Sequence, residues 1–143
     1  MTAYTSIVYP VVLGAAALLL LGGAAAFAAP RAGAALRGVT WIVRTATVVQ
    51  VLAIIVIVVA GWTRPSLFTL VGYLLSAIVL VWLLGISRIA AAPEPGAPRD
   101  PDRPVLSARQ SVQVDAVVAM IVAVALAVVA WRLHSILLGG AAA

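Results

Sequence analysis

The chain has 143 residues, 65% of them hydrophobic and only 9% charged, with a net charge of +5 from nine arginines against four acids. Soluble domains carry about 25% charged residues, so this composition excludes a water-soluble fold. Cysteine is absent, which removes disulfide, thiolate, iron–sulfur and Cys-ligated zinc chemistry. The arginines lie between apolar runs rather than clustered on one face or tail, so they read as a topology signal and not as a nucleic-acid footprint. Lys and Asn are missing while Ala, Val, Gly and Arg are in excess. That is the codon signature of a GC-rich genome and points to a bacterium of actinobacterial type.

The first apolar run, 6–29, follows Tyr4 and surrounds Pro10 (VVLGAAALLLLGGAAAFAA). Its AFA before Ala29 resembles the cleavage site of a secretory signal peptide. No basic residue precedes the run, however, and Arg31 and Arg37 follow it, which is the reverse of a signal sequence. It is therefore read as a first transmembrane helix. Gly14, Gly22, Gly23 and the alanines make it thin and suited to close backbone approach.

Residues 30–40 (PRAGAALRGVT) read as a short basic loop. Two further runs, 41–62 and 66–87, are each about 20 residues long, enough to cross roughly 30 Å of hydrocarbon at 1.5 Å per residue. Only Thr63, Arg64 and Pro65 with their neighbours separate them, so they read as an antiparallel transmembrane hairpin. The second of these runs places Thr69, Tyr73 and Ser76 on one face, beside Gly72.

From 89 to 106 the chain changes character. Five prolines and charges of both signs (IAAAPEPGAPRDPDRPVL) forbid a helix and favour an extended, solvated linker. Ser107 with Gln110 three residues later fits a capping box and marks the start of a fourth helix. Its membrane-crossing part is expected over about 112–133, with Trp131, Arg132 and His134 at the far interface. The GGAAA tail is expected to fray.

With the N-terminus outside, Arg31, Arg37, Arg44, Arg88, Arg99, Arg103 and Arg109 face the cytoplasm and only Arg64 and Arg132 face outward. The positive-inside rule thus predicts an N-out, C-out protein of the bacterial inner membrane with its Pro-rich loop in the cytoplasm. Tyr4, Tyr9, Trp62 and Trp131 would form the outer aromatic belt, and Trp41 would lie on the inner side.

Few residues could carry chemistry. Asp115 is the only acid within an apolar run, and it shares a face with Ala119, Ala123 and Ala127, a small-residue stripe suited to another helix. Arg44 sits at similar depth, so an Arg44–Asp115 pair would tie the second helix to the fourth. The other reading of Asp115 is a proton- or cation-coupling carboxylate. Gln50 is the most deeply placed strong polar group and needs a partner in hydrocarbon, with Tyr73 or Ser76 expected across the hairpin. It could instead line a path for a substrate or a quinone head group. His134 is the only histidine and reads as a solvated interfacial residue rather than a haem ligand. No metal-ligand set, catalytic triad, P-loop or dinucleotide fingerprint stands out.

Gly72 to Arg88 (GYLLSAIVLVWLLGISR) and Val114 to Leu138 (VDAVVAMIVAVALAVVAWRLHSILL) resemble small four-helix integral membrane proteins of Actinobacteria, through apolar patterning plus Gly72-Tyr73 and Trp131-Arg132-Leu133. The resemblance implies no catalytic residue. Small multidrug transporters share the size and span count, but their essential acid lies in the first helix, which here is uncharged. The expected fold is an all-α membrane protein, a bundle of four transmembrane helices. The expected role is a non-catalytic accessory or scaffold subunit of a larger inner-membrane complex of respiratory or envelope-transport type, without a cofactor. The competing class is a small homo-oligomeric transporter or lipid-handling protein. Expected partners are membrane lipids and either that larger complex or further copies of the chain.

Overall fold

The computed structural model describes residues 4–61, 67–84 and 107–138. The fold there is all-α, with helices α1 (Tyr9–Ala28), α2 (Gly33–Val59), α3 (Leu67–Leu83) and α4 (Ala108–Leu137). The Thr63–Pro65 turn, the Pro-rich stretch 89–106 and the GGAAA tail lie outside the described residues, as do Trp62, Arg64, Arg88, Arg99 and Arg103. By length and composition, Tyr4–Ala28, Pro30–Val59 and Ala108–Leu137 can each cross a membrane. The described part of α3 is shorter, 17 residues or about 25 Å.

Local sequence explains the helix ends. One wider, π-type turn, Tyr4–Val8, leads into α1. Pro10 has no N–H to give the Ser6 carbonyl, and its ring crowds that carbonyl, which favours the wider turn. Ala29, ahead of Pro30, is extended (φ −133°, ψ 101°), as the residue before a proline prefers, and this ends α1. A single 3₁₀ turn, Pro30–Ala32, then leads directly into α2. The expected basic loop 30–40 is therefore mostly helix. Its Ala, Leu and Arg are good helix formers, Leu36 is buried, and the Thr40 hydroxyl donates to the Leu36 carbonyl at 2.9 Å. Arginine limits where a helix enters hydrocarbon, not where the helix begins. Past Val59 the chain turns at Gly61, whose φ of +100° suits glycine, and the Gly61 N–H bonds the Val58 carbonyl at 3.2 Å.

The start of α4 matches its sequence signal. Gln110 N–H donates to Ser107 Oγ at 3.3 Å and Ser107 N–H donates to Gln110 Oε1 at 2.9 Å, which completes a capping box. Buried positions then recur every three or four residues: Ala116, Ala119, Ala123, Leu126, Ala130, Leu133 and Leu137. This is a heptad-like seam through the whole helix. Val12, Ala15, Ala16, Leu19, Gly23 and Ala26 make the matching seam on α1.

These two seams form the most extensive helix contact; α1 also packs on α2, and α3 on α4. The helices alternate up and down, with Tyr9 against His134 at one end and Gly33 against Val112 at the other. Contact between α2 and α3 is slight, so the expected hairpin of consecutive runs is not what organises the bundle. The reason lies in side-chain size. Small residues let α1 and α4 approach, whereas α3 buries only Leu70 and Ala77 within its length and points Phe68, Leu75 and Trp82 outward.

Gly23 is the most tightly enclosed of the described glycines. A Cβ there would lie 2.9 Å from the Ala116 carbonyl oxygen and 2.9 Å from Met120 Cγ, whereas a Cβ at Gly14 would meet nothing within 4 Å. Gly23→Val should therefore destabilise the bundle by about 1–3 kcal/mol, the usual range for overpacking. Gly14→Val should stay within about 0.5 kcal/mol of the parent. Thermal unfolding of both variants in one detergent checks this; equal stability would contradict close α1–α4 contact at Gly23.

Candidate functional site

Among the described residues the buried polar side chains are Thr47 and Gln50, both on α2. The Thr47 hydroxyl donates to the Val43 carbonyl one turn back at 2.9 Å, so its polarity is absorbed within its own helix. Gln50 reaches another segment. Its Nε2 donates to the Tyr4 hydroxyl oxygen at 3.3 Å, with both residues buried. The wider turn before α1 sets Tyr4 inside the bundle, so Tyr4 is not part of the expected outer aromatic belt.

The expected partners of Gln50 do not serve it. Ser76 is exposed and its hydroxyl donates to the Gly72 carbonyl at 2.9 Å, while Tyr73 is only half-buried on a helix that α2 hardly touches. Gln50 faces α1 instead, because α1 rather than α3 is the main neighbour of α2. An interhelical hydrogen bond is formed, but with a different partner from the one the hairpin implied.

Arg44 and Asp115 are likewise not joined. Arg44 Nη2 donates to the Leu84 carbonyl at 2.8 Å, at the end of α3. The last carbonyls of a helix lack intrahelical donors and carry its negative pole, so a guanidinium suits that position. Asp115 lies on α4, which barely contacts α2, because the two are diagonal across the bundle. Its side chain is half-buried, and Oδ1 is fully covered without a hydrogen-bond partner. The stripe beside it is real: Ala119 and Ala123 are buried and Ala127 is half-buried.

His134 differs from the solvated interfacial residue expected. Its ring stacks on Tyr9 with centroids 4.0 Å apart and planes 9° from parallel, and Tyr4 lies 6.5 Å away at 23°. Nδ1 is buried and unbonded. Tyr4, Tyr9, Gln50 and His134 thus form one aromatic and amide cluster where α1, α2 and α4 meet. The sequence carried a signal for this, since His134 follows Ala130 by four and adjoins Leu133 on the apolar seam. Beyond it, Trp131 is exposed and the Arg132 guanidinium lies 5.1 Å from its ring centroid, within cation–π range.

Chemically, this arrangement binds helices to one another. Among the described residues no group of three or more His, Asp or Glu side chains could hold a metal ion. Comparison with protein-family models, curated proteins and solved structures found no match.

Two double-mutant cycles test the geometry. Tyr4→Phe with Gln50→Leu should give a coupling of about 0.6 kcal/mol, the average for interhelical hydrogen bonds in a membrane protein. Arg44→Met with Asp115→Asn should be additive to within about 0.5 kcal/mol, as for residues without contact. Unfolding in detergent measures both. Strong coupling in the second cycle, or none in the first, would contradict the assignments.

Proposed function

We propose that this chain is a non-catalytic accessory or scaffold subunit of a larger assembly in the bacterial inner membrane. The supporting observation is how the bundle interior is filled. Leu19, Ile54, Leu70 and Leu133 are buried to 1% exposure or less, and the buried amide is occupied in a helix contact. Among the described residues the interior is thus filled mainly by apolar side chains. The outer surface, by contrast, offers large side chains: Trp41, Phe68 and Trp82 are 68%, 93% and 79% exposed. Aromatic anchors of this size are what helix faces present to lipid or to other subunits. Respiratory and envelope-transport complexes are the candidate hosts.

A homo-oligomeric transporter or lipid-handling protein is the second reading, favoured by the unpartnered Oδ1 of Asp115. An acid within an apolar helix is a coupling candidate when nothing neutralises it.

Isolation of the tagged chain from its host in mild detergent separates the two. Near-stoichiometric recovery with a larger complex is the expected result. A discrete oligomer of this chain alone, with transport abolished by Asp115→Asn, would favour the second reading. The proposed N-out, C-out orientation has its own test. The chain lacks cysteine, so Ala97→Cys introduces a single thiol into the Pro-rich stretch. That thiol should resist an impermeant reagent in intact cells and react once the membrane is opened.

A further inference from the structure

We infer that the open surface groove between the α1–α2 turn and the start of α4 binds the phosphate of an anionic phospholipid, with Arg31 and Arg109 as its cationic partners. The groove is broad and open to its surroundings, with about 570 Å³ of accessible space, and is lined by Pro30, Arg31, Ala108, Arg109 and Val112. Neither arginine makes a hydrogen bond or ion pair among the described residues. Two guanidinium-bearing side chains that share one opening repel each other unless an anion lies between them.

The backbone adds to the same field. Among the described residues no acid occupies the first turn of α4, the positive pole of a 30-residue helix. The capping box takes up the Gln110 N–H, and the Ser111 N–H bonds the Ser107 carbonyl at 2.9 Å. The N–H groups of Ala108 and Arg109 have no acceptor within the helix, and both residues line the groove. Two forked guanidinium groups and two helix-end N–H groups make a donor set that matches phosphate oxygens.

The remaining lining favours a lipid phosphate over a free one. Pro30, Ala108 and Val112 are apolar, and the groove lies at the ends of three helices able to cross a membrane. That is the depth of a phospholipid head group. Further along the same helices, Phe27, Val114 and Val117 are exposed and available to an acyl chain. Basic pockets between spanning helices take anionic head groups by this combination of charge and apolar wall.

The test uses the full chain in detergent, titrated with short-chain phosphatidylglycerol or phosphatidylcholine, with bound lipid counted by native mass spectrometry. Phosphatidylglycerol should be retained preferentially. Arg31→Gln and Arg109→Gln should each weaken that retention about fivefold, and together about 25-fold. The double Lys variant should restore most of it, and Arg132→Gln at the opposite end should leave it unchanged. Both arginines are exposed, so the bundle should tolerate these changes, with helicity by circular dichroism as the control. Equal retention of the two lipids, or a preference that survives the double Gln variant, would overturn the inference. Displacement of phosphatidylglycerol by millimolar inorganic phosphate would overturn the assignment to lipid.

Discussion

Close approach of α1 and α4 is the constraint on which the rest of the bundle depends. Lipid tails are as apolar as leucine, so burial from water contributes little to the association of helices inside a membrane. Dispersion has to supply the attraction, and it falls off within a fraction of an ångström. Small residues along both seams bring the two backbones near enough, most of all where Gly23 faces the Ala116 carbonyl. Once that pair is set, α2 lies against α1 and α3 against α4, and the α2–α3 side closes least tightly.

Polar groups then divide by position. In the bundle interior they are absorbed by the backbone of their own helix, as at Thr47, or join two segments, as in the bond from Gln50 to Tyr4. At the helix ends they answer helix poles: Arg44 meets the carbonyl end of α3, and Ser107 with Gln110 caps the start of α4. Among the described residues, Arg31, Arg37, Arg109 and Asp115 take part in none of these bonds. Two exposed cations near a helix N-terminus, one covered, unbonded carboxylate oxygen and the unbonded His134 Nδ1 are places where the described residues have interaction capacity to spare.

The helices were legible in the sequence because long apolar runs and a Ser-x-x-Gln cap report local chemistry. Partnership was not. Arg44 and Asp115 share a depth and opposite charges, yet the order of helices around the bundle places them on a diagonal, and no one-dimensional pattern states that order. The amide of Gln50 demands a partner in hydrocarbon, but a hairpin of consecutive runs points it to Tyr73 and Ser76, whereas the bundle order brings it to Tyr4. Aromatic residues near the ends of spans usually lie at the interface, whereas Pro10 and the wide turn set Tyr4 inside. Hydropathy marks entry into hydrocarbon near Trp41, and the helix itself begins eight residues earlier, at Gly33.

The pairing of α1 with α4 also has a consequence for biogenesis. These are the first and last of the four helices to leave the ribosome, and 79 residues separate Ala28 from Ala108. At about 5–20 residues per second that gap lasts roughly 4–16 s. During that interval only α2 and α3 are made, and the glycine and alanine face meant for α4 is uncovered. Pairing of this face therefore waits on α4, and the nascent chain is most open to mispairing, to proteolysis and to insertase or chaperone contact just before α4 arrives.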